Sequence, residues 1–380
     1  MATYLDWNAS APVRAEARAA SLAALALTGN PSSVHREGRA ARQSIEAARD
    51  AVAALIGADP RNVIFTAGGT EANALALNPA AQTGLERLLV SSIEHPSVLA
   101  GGRFAPAAVE RIPVDPDGVV SLAALEQSLT QGPRALVSLM AANNETGVIQ
   151  PVAAAAELVH RHGGLLHVDA VQAAGRIALD IGALGTDLVT LSAHKIGGAK
   201  GAGALVKRDE SLALDPLIRG GGQERGSRAG TENVAAIAAF GAAAAAAKIG
   251  LRAEAAHMAR LRDRLEAGLR ATPGVVIFGA RVERLPNTTL AALPGSKAET
   301  LVIAFDLDGI AISSGAACSS GKVAPSHVLA AMGVPAELAR GAIRVSLGPS
   351  TTEAEVDGFL KIWQKLGKSL SSSQKRGLAA

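Results

Sequence analysis

The chain has 380 residues, of which 48% are hydrophobic and 19% are charged, and this balance predicts a globular, soluble protein of two domains with no transmembrane span. The formal net charge of +3 is small and the basic residues are dispersed among acidic ones, which argues against nucleic acid as the main partner. Six Phe, two Trp and one Tyr leave no stacking platform for bases.

The first predicted elements are short. Residues 4–10 predict a strand that runs into a turn at Pro12, with no basic-then-apolar signal peptide before it. Ser32 and Ser33 then predict the cap of a long helix that Gly57 ends. Residues 63–66 predict the first buried strand of the main sheet.

A glycine turn at residues 67–73 opens directly onto a helix. Such helix N-termini bind phosphate, because free backbone N–H groups and the positive end of the helix dipole face the anion. No Gly-Lys-Ser/Thr follows, so the turn is not a Walker A loop. A tight strand-to-helix turn without a ligand explains the same pattern.

Two further predicted strands, residues 88–90 and 135–140, each lead to polar side chains. His95 follows the first strand, where a structural role and a proton-transfer role are both compatible with the pattern. Asn143 and Asn144 follow the second strand before a glycine, a pattern that ordinary turn chemistry also explains.

The most informative stretch places polar side chains after two neighbouring apolar strands. One strand ends on Asp169, with Gln172 three residues later, and the other ends on Ser192, followed by His194 and Lys195. Open α/β sheets hold their ligands at the carboxyl ends of strands. A pyridine-ring aldehyde cofactor needs a lysine that condenses with the aldehyde and a carboxylate that keeps the ring nitrogen protonated. Either residue alone would more often be a surface lysine or a capping aspartate, so the pair carries the interpretation.

Three nearby histidines could suggest a metal site. His160 and His162 are two residues apart on a predicted helix and point in different directions, and no carboxylate completes a set with His167. We therefore expect no metal.

The pattern changes towards the C-terminus. The glycine-dense residues 219–230 predict either a flexible linker or a backbone wrapped near a ligand, and Thr231 follows at the start of a long Ala-rich helix. After Gly250, a second helix over residues 251–269 and several short strands predict a smaller α/β domain. Arg344 lies in the middle of the last strand, where a surface role and a ligand-binding role are both open.

We divide the chain accordingly. Residues 14–250 are predicted to form the large domain, and residues 1–13 with 251–368 the small one. A last helix is predicted over residues 352–366, and residues 369–380 are predicted to be a disordered tail.

Cys318 is the only cysteine, so no intramolecular disulfide is possible and a reducing cytoplasm is the expected location. A single cysteine is most often a buried small hydrophobe. The serines and glycines around Cys318 instead predict a polar, movable loop, which favours a reactive thiol.

Four long motifs, in order, resemble those of the cysteine desulfurases, pyridoxal-phosphate enzymes of the class V aminotransferase group. They are HVDAVQAAG, SAHKIGGAKGAGAL, GGGQERGSRAGTENV and SSGAACSSGKVAPSHVL, and the resemblance extends from residue 4 to about residue 366. It implies the α/β fold of a fold-type-I pyridoxal-phosphate transferase. That fold has a large domain with a mostly parallel seven-stranded sheet and a smaller α/β domain, and the enzyme is a cytoplasmic homodimer.

The resemblance also implies a role for each candidate residue. The cofactor-binding residues it implies are Lys195 at the aldehyde, Asp169 at the ring nitrogen, His95 against the ring, Thr70 at the phosphate, Thr231 at the neighbouring subunit's phosphate, and Gln172, Asn144, Ser192 and His194 around them. Arg344, with Asn144, would bind the substrate α-carboxylate. Lys195 and His95 would move the Cα proton, and the thiolate of Cys318 would take the sulfur.

The implied reaction converts L-cysteine to L-alanine and leaves a persulfide on Cys318. An iron–sulfur scaffold protein would accept the sulfur, and the wording of the cysteine motif resembles the nitrogen-fixation type more than the housekeeping type. A selenocysteine lyase or another pyridoxal-phosphate aminotransferase or lyase would share Lys195, Asp169 and Arg344. A non-enzymatic sulfur relay would need the cysteine but not the Asp169–Lys195 pair.

Overall fold

The computed structural model describes residues 3–315 and 325–377. The strands within these residues are β1 (Thr3–Tyr4), β2 (Val63–Thr66), β3 (Arg87–Ser91), β4 (Val109–Ile112), β5 (Ala135–Met140), β6 (Leu165–Asp169), β7 (Leu188–Ser192), β8 (Gly203–Lys207), β9 (Val276–Ile277), β10 (Thr288–Ala292), β11 (Ile310–Ala311), β12 (Ser313–Ser314) and β13 (Ala342–Ser346).

The helices of the same residues lie between and after these strands. They are α1 (Ala15–Leu25), α2 (Arg36–Leu55), α3 (Gly69–Ala76), α4 (Pro96–Leu99), α5 (Leu122–Thr130), α6 (Val152–Arg161), α7 (Val234–Arg270), α8 (Ala298–Leu307), α9 (His327–Ala331), α10 (Ala336–Ala339) and α11 (Glu353–Gly377). Single 3₁₀ turns cover Pro60–Asn62, Ala81–Thr83, Pro106–Ala108, Ala193–Lys195 and Gln223–Gly226.

The main sheet has seven strands in the order β2-β8-β7-β6-β5-β3-β4. Neighbouring strands are parallel except for β8, which runs antiparallel to both β2 and β7. Every residue of β5 and β7 is buried, because helices cover both faces of the sheet. The predicted α/β architecture with a mostly parallel seven-stranded sheet is confirmed.

A second buried cluster accompanies a smaller, antiparallel sheet of order β12-β13-β10-β9. The side chains of Phe305 and Phe359 stack within this cluster, with ring centroids 4.4 Å apart and planes 4° apart. Strand β1 pairs in parallel with β11, which attaches the N-terminal segment to this region. The domain boundary at residue 250 stays a prediction, because it falls within α7.

Helix α7 replaces the two helices that we predicted on either side of Gly250. It is continuous for 37 residues, so this glycine does not end it. Its first half packs into the core of the main sheet through side chains such as Phe240, and its second half enters the second cluster through Leu261 and Leu265. The helix is long and apolar enough to cross a membrane by length and composition alone, but half of its most apolar window is buried within the protein. These contacts are those of a core helix.

Other elements also differ from the sequence prediction; for example, His35 rather than Ser32 or Ser33 caps α2, because its ring accepts from the Gly38 backbone N–H. Helix α1 and the edge strand β4 are present although no pattern predicted them. Helix α11 extends to Gly377, so residues 369–377 continue a helix where we predicted the start of a disordered tail. Small Ala side chains in α1 and charged ones in β4 give neither element a clear apolar period.

Candidate active site

A cavity of about 280 Å³ opens at the carboxyl ends of β5, β6 and β7, beside the start of α3. Nine of the predicted site residues line it: Thr70, His95, Asn144, Asp169, Gln172, Ser192, His194, Lys195 and Arg344. The parallel strands deliver most of these side chains to one edge of the sheet, as the rule for ligand sites in open α/β sheets requires.

Asp169 is the last residue of β6, and it is 6% exposed. Its Oδ2 atom accepts a hydrogen bond of 2.8 Å from the Asn73 side-chain amide, and its Oδ1 atom accepts one of 3.0 Å from the Val171 backbone N–H. These two bonds fix the orientation of the carboxylate. Each oxygen keeps a further lone pair, so the group can also accept from a protonated ring nitrogen.

Lys195 lies in the 3₁₀ turn that follows β7. Its Nζ atom donates to the backbone carbonyls of Asn8, at 2.5 Å, and Ala9, at 3.0 Å. The N-terminal segment therefore helps to position the amine. Sequence reasoning missed these contacts, because backbone carbonyls nearly two hundred residues away carry no side-chain signal.

His95 caps the short helix α4 and lines the cavity. Burial lowers its pKa; the nearby Asp169 carboxylate opposes the fall, while Lys195 and His327 add to it. The Ser97 backbone N–H donates to His95 Nδ1 at 3.2 Å. Because Nδ1 accepts, the neutral ring carries its proton on Nε2.

His194 and Gln172 complete the wall near Lys195. Burial, together with the positive charges of Lys195 and Lys200, lowers the pKa of His194 to about 4, so the ring is neutral at physiological pH. The Gln172 Oε1 atom accepts from Arg176 at 2.7 Å, and its Nε2 atom donates to the Asn8 carbonyl at 3.1 Å. The amide is thereby held in one orientation.

Arg344 enters the cavity from the smaller sheet, on β13, with a side chain that is 2% exposed. One terminal nitrogen donates to Asp6 Oδ1 at 2.8 Å and the other donates to the Asn144 carbonyl at 3.0 Å. The Nε atom is buried and has no hydrogen-bond partner among the described residues. Arg344 lines the cavity, and a buried guanidinium with donors left over suits a carboxylate ligand. Sequence reasoning did not find Asp6 as the partner of this arginine.

The start of α3 can bind an anion. Its cap residue, Gly68, provides no side-chain hydrogen bond, so the first amides of the helix remain available to a ligand. A Cβ atom on Gly69 would lie 3.1 Å from Val171 Cγ2, and one on Gly203 would lie 2.4 Å from the Gly68 carbonyl carbon. Glycine at these positions keeps the phosphate end of the cavity open and lets two backbone segments approach each other.

The cavity thus contains an amine, a carboxylate, a neutral imidazole and a helix N-terminus around one space. This set matches the aldehyde, the ring nitrogen, the ring face and the phosphate of a pyridoxal-type cofactor. The residues that line the cavity therefore fit a pyridoxal-type cofactor.

Two predicted residues do not line the cavity. Thr231 is exposed, outside the cavity of its own chain, and Cys318 lies outside the described residues. Across residues 3–315 and 325–377, no three His, Cys, Asp or Glu side chains are arranged to hold a metal ion. His160 instead pairs with Asp187 at 2.8 Å, and His167 is buried between hydroxyl groups on β5 and β7.

Comparison with known proteins identifies the family. The model for aminotransferase class-V matches residues 3–359. The chain belongs to the class-V aminotransferase family. Class-V aminotransferases of this kind depend on pyridoxal phosphate, in agreement with the donor set of the cavity.

Similar proteins include a named cysteine desulfurase and two solved structures. A cysteine desulfurase from Cereibacter sphaeroides is 46% identical over 369 residues, which cover 94% of this chain and 94% of that protein. The structure of a NifS-like protein from Rickettsia africae ESF-5 matches with a TM-score of 0.89 at 36% identity, covering 96% of this chain and 99% of that one. The structure of SspA in complex with cysteine matches with a TM-score of 0.78 at 29% identity, covering 92% of this chain and 100% of that one.

Proposed function

We propose that this chain is a pyridoxal-phosphate-dependent cysteine desulfurase, which converts L-cysteine to L-alanine and transfers the sulfur to Cys318 as a persulfide. The observation that carries the proposal is the convergence of Lys195, Asp169, His95 and Arg344 in one cavity. The desulfurase relative that matches 94% of the chain supports the same reaction.

When bound, pyridoxal phosphate supplies an aldehyde that condenses with amines and a ring that accepts electrons from the substrate Cα. Asp169 holds a proton at the ring nitrogen, and the amides at the start of α3, with Thr70 and Ser192, bind the phosphate. Lys195 Nζ, positioned by two N-terminal carbonyls, would hold the cofactor through its aldehyde. Arg344 binds the substrate carboxylate through the N–H donors that its bonds to Asp6 and Asn144 leave unused.

Proton transfer at the substrate Cα falls to Lys195 through Nζ and to His95 through Nε2. The Cys318 thiolate then attacks the substrate sulfur, the carbon–sulfur bond breaks, and a sulfur–sulfur bond forms on the enzyme. The β-carbon of the substrate takes up a proton and leaves as alanine. An unperturbed thiol has a pKa of about 8.5, so a nearby group must take the Cys318 proton.

We also propose that the enzyme works as a cytoplasmic homodimer that supplies sulfur for iron–sulfur cluster assembly through a scaffold protein. Two features support the dimer. Thr231 is exposed at the end of a glycine-rich loop, and Leu217 and Ile218 beside that loop are 46% and 42% exposed. A role in nitrogenase maturation is the narrower form of this proposal and rests on the amino-acid sequence of the cysteine motif alone.

The test is a paired assay of the purified wild type and Cys318→Ala with L-cysteine and a reductant. Visible absorbance, sulfide and alanine are recorded, and Ser320→Ala is the matched control in the same segment. We expect the wild type and the control to be yellow and to release sulfide and alanine in equal amounts. Cys318→Ala should be yellow and inactive.

A Cys318→Ala variant with normal turnover would refute the persulfide mechanism and favour a transaminase or lyase. A parallel assay with L-selenocysteine addresses the remaining alternative. A selenocysteine lyase would turn over the selenium substrate independently of Cys318 and would leave L-cysteine largely unreacted.

A further inference from the structure

We propose that Asn73 and Ser97 are positioning residues that join Asp169 to His95 in one chain of hydrogen bonds. This chain holds the His95 ring with its proton on Nε2. The inference rests on the proposed function, since it concerns two groups assigned to that reaction. Both Asn73 and Ser97 line the same cavity, and sequence reasoning identified neither.

Asn73 connects the two groups through its side-chain amide nitrogen. The residue lies on α3 and is 2% exposed. Its Nδ2 atom donates to Asp169 Oδ2 at 2.8 Å and to Ser97 Oγ at 3.0 Å, which uses both amide protons. The opposite orientation would place Oδ1 against the Asp169 carboxylate, so the contact with Asp169 fixes which end of the amide faces it. The Oδ1 atom is buried without a hydrogen-bond partner among the described residues, which indicates that this amide is held for its donors.

The hydroxyl group of Ser97 connects Asn73 to His95. Its hydroxyl oxygen already accepts from Asn73, and it lies 2.7 Å from His95 Nδ1. The hydroxyl proton therefore points to Nδ1, where the Ser97 backbone N–H also donates. Two donors at Nδ1 oppose protonation of that atom, because an added proton would face both of them. The ring then presents Nε2–H as its exchangeable proton.

The charged and titratable groups around His95 come from three elements. Asp169 lies at the end of β6, Lys195 follows β7, and His327 begins α9. The Asp169 charge favours a protonated His95, whereas Lys195 and His327 oppose it. The hydrogen-bond chain also favours the tautomer with its proton on Nε2. The surrounding charges do not select a tautomer in this way, because only the chain acts at Nδ1 alone.

The experiment measures the His95 titration and tautomer in the purified holoenzyme by NMR with labelled histidine, with the resonance assigned through His95→Gln. We expect Ser97→Ala to raise the His95 pKa by about half a pH unit or more, because one hydrogen bond to the neutral ring is lost. Its kcat should fall about three- to tenfold with KM nearly unchanged. Ser97→Thr keeps the hydroxyl and should restore both values.

Asn73→Ala provides a second line of evidence, since it removes the donor that orients the Ser97 hydroxyl. This variant should shift the NMR signal of the His95 tautomer in the same direction as Ser97→Ala does. Ser92→Ala is the matched control, because the Ser92 hydroxyl donates to the Ile112 carbonyl at 2.9 Å and Ser92 does not line the cavity. A His95 titration in Ser97→Ala that equals that of the wild type would overturn the inference. The NMR result stands independently of turnover, so an inactive wild type would refute the proposed function and leave this test intact.

Discussion

A buried carboxyl group gives the sharpest stability prediction. Glu145 follows β5, is 4% exposed, and accepts a hydrogen bond of 2.5 Å from the Ser326 hydroxyl. Burial raises its pKa from 4.5 to about 7, against the opposing effects of the Ser326 hydrogen bond and the Arg344 charge. A difference of this size corresponds to about 3 kcal/mol between the two protonation states.

The sign of the pH dependence follows from the direction of the shift. A raised pKa in the folded protein means that the destabilisation is absent below about pH 4.5, grows as the pH rises, and approaches its full size above about pH 7, where the buried group becomes charged. The Glu145 contribution therefore weakens folding as pH rises through this window. Glu145→Gln removes the charge and retains an oxygen that can accept from Ser326. We expect the variant and the wild type to be similar at pH 5, and the variant to be more stable at pH 8.5 by up to about 3 kcal/mol.

The assay is urea unfolding at pH 5 and pH 8.5, followed by circular dichroism. Glu157→Gln, at an exposed position of α6, is the matched control and should leave the pH dependence unchanged. If Glu145→Gln and the wild type lose stability in parallel between the two pH values, then Glu145 does not bear a buried charge and the reasoning fails.

Three further substitutions test the geometry of the cavity. Gly203→Ala should destabilise the protein by about 1–3 kcal/mol in thermal unfolding, because the new Cβ would lie 2.4 Å from the Gly68 carbonyl carbon. Gly68→Ala is its control, since nothing lies within 4 Å of a Cβ there; equal losses would contradict the clash. Arg344→Lys should raise KM for L-cysteine about 10- to 100-fold in steady-state kinetics with a smaller change in kcat, and an unchanged KM would exclude Arg344 as the carboxylate ligand. Thr231→Ala should weaken cofactor binding measured by equilibrium dialysis, although Thr231 lies outside the cavity of its own chain; unaltered binding would contradict a shared site.

The sequence was most informative where strands end. Asp169, Ser192 and Lys195 follow short apolar runs typical of buried strands, and the carboxyl ends of parallel strands meet at one edge of a sheet. Their convergence could therefore be predicted without coordinates. The fold class followed from the same strand–helix alternation, together with the motifs.

Contacts that depend on the path of the chain could not be predicted. Asn73 belongs to the glycine turn and helix at residues 67–73, but nothing in that motif indicates a contact with Asp169, which depends on how α3 packs against the sheet. Gly250 is a usual helix breaker, yet α7 continues through it because both halves of the helix are held by separate cores. Burial and packing outweighed local propensity at that position.

The N-terminal segment explains why the site requires both sheets. Asn8 donates its side-chain amide to Thr288 of the smaller sheet, and its backbone carbonyl accepts from Lys195 at the end of the larger one. Asp6, two residues earlier, holds Arg344. One short segment thus sets the distance between the amine and the carboxylate-binding guanidinium. The two groups that must contact the same substrate are positioned by neighbouring residues, so a displacement of this segment would separate them even with both sheets intact.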